Sequence, residues 1–414
     1  MISIKMNKQK QIQELIYSWG GYNFPGKKIS VFDTTLRDGL QSPHIKKYPS
    51  ISQRIKFLEL CYELGIEAVE IGFPVASESH KKEVLALARH AKRNKLNIIL
   101  SCLSRTLPID VQTIADISQE AGFPITVNLL IGSSKIRTLV EDWNLKTMQE
   151  WIKKSVKTAL QNNLPVEFVT EDTTRSEPSV LRILYGTAIK YGVKRIWIAD
   201  TVGEAVPNTA QKITAFFMKQ IIKNHKVGLD WHGHDDKGLG VANALAAAEK
   251  GADRIQATAL GVGERAGNSQ MEAVIMNLVL AKVGKYNLKA LMAYSECASH
   301  MFDIPIRDNY PIVGNLVYTT AAGMHAAAIN KARQMKNKEL EGIVYASFSS
   351  ALVGQEMKIF IGPMSGGANV EWNLERLRIK KTPKLIEEIL NKAKQDNRFL
   401  HDDEIIMIAK KHKE

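Results

Sequence analysis

Cysteine is scarce: the 414 residues contain three, Cys61, Cys102 and Cys297. An odd number so widely scattered excludes a disulfide framework or a zinc ribbon and suits the reduced thiols of a cytoplasmic protein. Long hydrophobic runs are missing too. No apolar stretch approaches the ~20 residues of a membrane span, and Met1 to Lys10 lacks the apolar core of a signal peptide. Aromatic residues make up 7% of the chain and form no stripe alternating with Arg or Lys, so base stacking on a single strand is not expected. There is no internal repeat and no low-complexity tract.

What is present is an ordinary globular composition, 45% hydrophobic and 24% charged, with a formal net charge of +13. Much of the positive excess is dispersed along polar helix faces or gathered at the ends, as in Lys5 to Lys10 and Lys410 to Lys413. A solvated surface is the simpler reading, with a nucleic-acid site the alternative; anionic substrates would be attracted in either case. The length exceeds the roughly 250–300 residues at which single cores stop growing, so a large core with something appended is expected.

From residue 29 onward, short β-like runs alternate with amphipathic helical stretches. The strands read at 29–32, 68–72, 98–103, 126–131, 166–170, 195–199, 227–232 and 254–257. Helical patterns lie between them, among them 52–64, 77–92, 148–162, 178–191 and 208–223, and the last of the series is read at 268–283. Eight strand–helix units point to a closed (β/α)₈ TIM barrel of the α/β class, with an open doubly wound sheet as the alternative. The rhythm stops after about residue 285. Beyond it lie the expected helices 287–300 and 317–336, the latter weakened by Gly323, a Gly-rich turn at 362–367, and helices 383–394 and 402–411. The division expected is an N-terminal arm 1–28, a barrel 29–286, a helical linker subdomain 287–342 and a small C-terminal subdomain 343–414.

Polar clusters fall at or just after strand ends. Asp38 follows the first strand, Glu171 the fifth, Thr201 the sixth, His232 the seventh and residues 261–268 the eighth. In a barrel those loops converge on one mouth. His232 and His234 are two apart on an extended segment, so both imidazoles point the same way. With the Asp38 carboxylate they make an N/N/O set for a divalent metal that leaves positions open for substrate or water. An isolated His-x-His is more often structural. Here Asp235 and Asp236 follow at once, and the Arg37-Asp38-Gly39 loop lies at another strand end.

Three runs carry a family resemblance: Asp33-Thr34-Thr35-Leu36-Arg37-Asp38-Gly39-Leu40-Gln41-Ser42-Pro43, His232-Gly233-His234-Asp235-Asp236-Lys237-Gly238-Leu239-Gly240-Val241-Ala242-Asn243, and Gly261-Val262-Gly263-Glu264-Arg265-Ala266-Gly267-Asn268. From about residue 29 to 373 the chain resembles the metal-dependent barrel family that includes 2-isopropylmalate, homocitrate and citramalate synthases and 3-hydroxy-3-methylglutaryl-CoA lyase. Glu70-Ile71-Gly72-Phe73-Pro74, and the stretch from Gly314 through His325 to Lys331, look like the isopropylmalate synthase branch.

The resemblance implies a Claisen condensation of acetyl-CoA with a 2-oxo acid on a divalent metal (Mg, Mn or Zn), followed by thioester hydrolysis. It implies Asp38, His232 and His234 as metal ligands, with Asn268 as a further or supporting ligand and Asp235 or Asp236 as acceptors orienting the imidazoles. Arg37 would bind the ketone oxygen. Gln41, Glu70 and Thr201 match positions lining the oxo-acid pocket, although Thr201 could instead cap the following helix. Glu171 matches a catalytic carboxylate, as acid, base or geometric support. His325 matches a general base carried by a swapped C-terminal segment to the partner subunit of a homodimer; without the resemblance it reads as packing.

The chain departs from the pattern at Ala326 and Ala327, where a polar pair is usual, and in the turn at 362–367, which lacks basic residues. It departs again at Met357, where some relatives carry a tyrosine for which Tyr345 is the nearest substitute. A C-terminal leucine-feedback domain is not expected. The alternatives that remain are homocitrate or citramalate synthesis, the lyase direction on a hydroxyacyl-CoA, and an inactive barrel with a binding role. No nucleic-acid or membrane partner is expected.

Overall fold

The computed structural model describes residues 15–17, 19–24 and 28–412. Most of the expected arm 1–28 therefore lies outside the described residues. Eight parallel strands close into a barrel in sequence order: β1 (Ser30–Asp33), β2 (Ala68–Glu70), β3 (Ile99–Arg105), β4 (Ile125–Gly132), β5 (Val166–Glu171), β6 (Arg195–Asp200), β7 (Gly228–Gly233) and β8 (Arg254–Ala257). Closure is made by β1 against β8, with Ser30 opposite Arg254 and Phe32 opposite Gln256. The expected (β/α)₈ architecture is therefore the observed one, and the open sheet is excluded.

Local chemistry places the helix ends. Ser50 and Gln53 form a reciprocal capping box at the start of helix Ile51–Leu64. Ser77 and Asn144 cap the starts of Glu78–Arg93 and Leu145–Gln161, and Pro108, Pro178 and Pro207 open the helices that begin with them. Each strand is buried because helices cover the outside and side chains fill the inside. Phe32, Ala68, Val169, Trp197 and Ala199 form the apolar layer of the barrel interior, with Phe32 and Trp197 edge to face at 5.5 Å. Towards the strand starts the interior is charged. Arg254 is 1% exposed, lies over the Phe32 ring at 4.6 Å, and pairs with Asp230 and Glu167. Ions buried so deeply are tolerable only when fully paired, as these are.

One difference from the expected pattern bears on the site. The last helix of the series spans Met271–Leu280, not 268–283. Asn268 is bridged to His234 and Gln270 to Thr258, so the segment before the helix is extended and runs across the strand ends.

The chain divides into two compact units. Among the described residues, one comprises those of 21–306 and 311–313, hence the barrel and helix Leu291–Phe302; the other gathers 307–310 and 314–412 with the described residues before 21. In the second unit a two-stranded parallel sheet, β9 (Thr319–Thr320) with β10 (Lys358–Ile359), lies among helices Gly323–Gln334, Lys338–Ile343, Gly367–Arg376, Pro383–Asp396 and Asp402–Lys411. Gly323 opens its helix and does not interrupt it. Ala326 is fully buried against Ile329, Ile359 and Trp372, so a polar residue there would be stranded in an apolar core.

Candidate active site

Asp38 lies just past β1, on the loop entering the 3₁₀ turn Gly39–Gln41, and is 1% exposed. Its Oδ2 stands 3.4 Å from His232 Nε2 and 3.6 Å from His234 Nε2, and the two Nε2 atoms are 3.4 Å apart. Burial raises the carboxyl pKa, but the Arg37 guanidinium, the imidazoles and the Asn268 amide outweigh it and hold Asp38 below the usual carboxylate range. Burial drives His232 the other way, down to about 3, so it is a neutral imidazole at physiological pH.

A carboxylate oxygen and two imidazole nitrogens thus converge in a space that a cation fits. All three ligand atoms lie within 4.8 Å of one another. His234 Nδ1 and Asn268 Oδ1 are buried with no hydrogen-bond partner among the described residues, as in a polar centre that these side chains alone do not satisfy. The donor set, two nitrogens and one oxygen, suits a first-row divalent metal with open positions.

The loop after β8 is shaped to deliver Asn268. Its Nδ2 donates to Asp38 Oδ2 at 2.8 Å, on the oxygen that faces the imidazoles. A Cβ on Gly263 would stand 2.0 Å from Asn268 Oδ1, and Gly267 adopts φ +96° with its backbone against Gly261. No other residue fits these two places.

Around this centre lies a cavity of about 260 Å³. Its wall includes Arg37, Gln41, Glu171, Thr201 and Arg265, with Leu103, Leu130, Val169, Trp197 and Ala199 as the apolar portion. Arg37 donates through Nε to Glu70 and through a terminal nitrogen to Gln41 Oε1 at 3.4 Å, and lies 3.4 Å from Asp38 Oδ2. Glu70 is fully buried, and its other oxygen accepts Asn128 Nδ2 at 2.8 Å. It does not reach the cavity wall; it stands behind Arg37 and aims it. The Thr201 hydroxyl accepts the Asp172 N–H at 2.8 Å and caps no helix. Glu171, at the end of β5, is one-third exposed and lies 3.3 Å from Arg137 Nε.

His325 belongs to the second unit. It is half-buried on helix Gly323–Gln334, contacts Thr320 Oγ1 at 3.2 Å and stacks on Tyr345 with ring centroids 3.8 Å apart.

Two readings of the sequence are corrected. Asp235 accepts the Gly240 N–H at 2.6 Å and Asp236 pairs with Arg265 at 2.8 Å, so neither orients an imidazole. The partner of His232 Nδ1 is Gln256 Oε1 at 3.1 Å, which sequence reasoning missed. The available signal was the inward alternation of polar Arg254 and Gln256 on a short, fully buried strand.

Known proteins share this sequence pattern and this fold. Residues 28–297 match the HMGL-like family model. The homocitrate synthase AksA of Methanopyrus kandleri is 33% identical over 89% of this chain and 87% of its own length. The 2-isopropylmalate synthase of Carboxydothermus hydrogenoformans is 30% identical over 89% of this chain and 70% of its own. Among solved structures, the HMG-CoA lyase of Bacillus subtilis shares the fold at TM-score 0.58 with 17% identity, covering 68% of this chain and 96% of that one. The chain belongs to the HMGL-like family.

Proposed function

We propose that this protein is a divalent-metal-dependent acyltransferase that condenses acetyl-CoA with a 2-oxo acid bearing an apolar side chain, as a 2-isopropylmalate synthase does. The observation that carries this reading is the convergence of Asp38, His232 and His234 beside a cavity whose wall includes the apolar group Leu103, Leu130, Val169, Trp197 and Ala199. A divalent cation held by these three residues would polarise the ketone of the oxo acid and fix its position.

The chain's own residues supply the rest. Arg37, permanently charged and aimed by Glu70 and Gln41, faces the oxygen on which negative charge builds. A base removes a methyl proton from acetyl-CoA, the carbanion equivalent attacks the ketone carbon, and water then cleaves the thioester to release the CoA thiol. We assign the base to His325, contributed by a second copy in a homodimer with a swapped C-terminal segment, and proton transfer at the cavity wall to Glu171. A neighbouring cavity of about 380 Å³ shares Leu130 and Glu171 with the first and is lined by Arg105, Arg137, Trp143 and Trp151. Guanidinium and indole groups there suit the anionic, aromatic end of acetyl-CoA.

Homocitrate synthesis is the second reading, favoured by likeness to the Methanopyrus enzyme. It requires a cation for the distal carboxylate of 2-oxoglutarate. Of the guanidinium groups on the main cavity wall, Arg37 is paired with Glu70 and Arg265 with Asp236. The apolar remainder, Leu103, Leu130 and Val169 among it, favours a branched aliphatic side chain. Thiol release from acetyl-CoA with Mn²⁺, tested against 2-oxoisovalerate, pyruvate and 2-oxoglutarate, separates these readings. The largest kcat/KM is expected with 2-oxoisovalerate; preference for 2-oxoglutarate would move the assignment to homocitrate synthesis.

A further inference from the structure

We propose that Gln256 is a positioning residue that sets the tautomer of His232, and that Asp230 in turn sets the orientation of Gln256; the bearing on metal binding rests on the metal site assigned above. The contacts run outward from the charged floor of the barrel. Asp230 Oδ1 accepts Arg195 at 2.7 Å, and Oδ2 accepts Arg254 Nε at 2.7 Å. A carboxylate held between two guanidinium groups only accepts hydrogen bonds. Gln256 Nε2, 2.9 Å from the same Oδ2, must therefore be the amide NH₂ end.

That choice turns the carbonyl, Oε1, towards His232 Nδ1 at 3.1 Å. A carbonyl likewise only accepts, so Nδ1 carries the ring hydrogen and Nε2 keeps the lone pair. Nε2 is the atom that faces Asp38 and His234. The opposite tautomer would set two acceptors against each other in a place where no solvent can relieve them. Asp230, Arg254 and Gln256 are at most 1% exposed.

The two imidazoles are thus held differently. His234 Nδ1 has no hydrogen-bond partner among the described residues, and no comparable contact from them fixes its tautomer. His232 arrives with its ligating lone pair already presented, by a chain of contacts that starts at Arg195 and Arg254. This gives the charged floor a function beyond packing: it sets the orientation of the amide that rests directly on it. Orienting contacts of this kind are worth roughly 10- to 100-fold in metal affinity.

The test uses metal-free protein labelled with ¹⁵N-histidine, with the His232 resonances identified by their loss in His232→Gln. Two-bond ¹H–¹⁵N spectra at neutral pH are expected to show His232 protonated at Nδ1 and unprotonated at Nε2. Gln256→Leu is expected to lose that preference and to bind Mn²⁺, followed by the EPR signal of the free ion, roughly 10- to 100-fold more weakly. The proposal is overturned if wild-type His232 is protonated at Nε2, or if Gln256→Leu keeps both the tautomer and the Mn²⁺ affinity. Should Gln256→Leu fail to fold, the wild-type spectrum decides. Wild-type protein that shows the Nδ1–H tautomer but takes up no Mn²⁺ would refute the metal reading and leave the tautomer assignment standing.

Discussion

Asn268 donates its side-chain amide to Asp38 Oδ2 at 2.8 Å across 230 residues of sequence, and that oxygen is the one both imidazoles face. Asn268 therefore fixes which carboxylate oxygen points into the centre. A hydrogen bond to a charged group contributes about 1.5–3 kcal/mol. Asn268→Ala is accordingly expected to weaken Mn²⁺ binding by roughly 10- to 100-fold, measured by titration against the free-ion EPR signal.

The glycine beside it is a separate test of the same geometry. A Cβ at Gly263 would lie 2.0 Å from Asn268 Oδ1, so Gly263→Ala must push the amide off Asp38. Loss of Mn²⁺ binding and a lower midpoint of urea unfolding are expected. Gly186→Ala is the control: it lies inside helix Pro178–Tyr191 with open space where its Cβ would go. That change is expected to stabilise by about 0.4–1 kcal/mol and to leave metal binding unchanged.

Asp33 connects pH to stability. It is fully buried between the Thr35 N–H and the Tyr294 hydroxyl, and burial pushes its carboxyl up to about 6. Its folded pKa lies above the unfolded value, so the folded state binds this proton more tightly. Stability from this group is present below pH ~4 and falls as pH rises to about 6, by roughly 3 kcal/mol in all. Asp33→Asn removes the titration. Urea unfolding at pH 5 and pH 7.5 is expected to show Asp33→Asn gaining on the wild type as pH rises; a gap independent of pH would refute the buried-acid account.

The assignment of His325 is tested by complementation. His325→Ala is expected to abolish turnover while leaving Mn²⁺ binding intact, because the Asp38–His232–His234 centre is built entirely within the barrel unit. If His325 acts on a second copy's barrel, mixing His325→Ala with Asp38→Ala subunits restores activity through the hybrid dimer. No recovery in a verified hybrid would place the base elsewhere.

The barrel was legible because its strands are short apolar runs at regular spacing, five of them followed by polar residues that only a closed barrel gathers. Thr34 to Gln41 and His232 to Asp236 could be placed at strand ends by the same rhythm. What the pattern could not show was direction inside a loop. Read as the start of a helix, Asn268 would face solvent or a neighbouring helix; the glycines at 263 and 267 hold it extended, across the mouth. Aspartates next to two histidines suggested orienting carboxylates, yet Asp235 and Asp236 turn to the backbone and to Arg265. The orienting group came from another strand, through the Asp230–Gln256 contact, and cross-strand partners are invisible until the register of β7 and β8 is known.

The proposed function stands or falls on whether the centre forms a carbon–carbon bond. Mass spectrometry of a reaction containing [2-¹³C]acetyl-CoA, 2-oxoisovalerate and Mn²⁺ tests it most directly. The account requires a labelled hydroxy dicarboxylic acid formed in step with free CoA thiol, and lost when Asp38 is replaced by Ala. Labelled acetate as the sole product, or no thiol release while Mn²⁺ is bound, would contradict it.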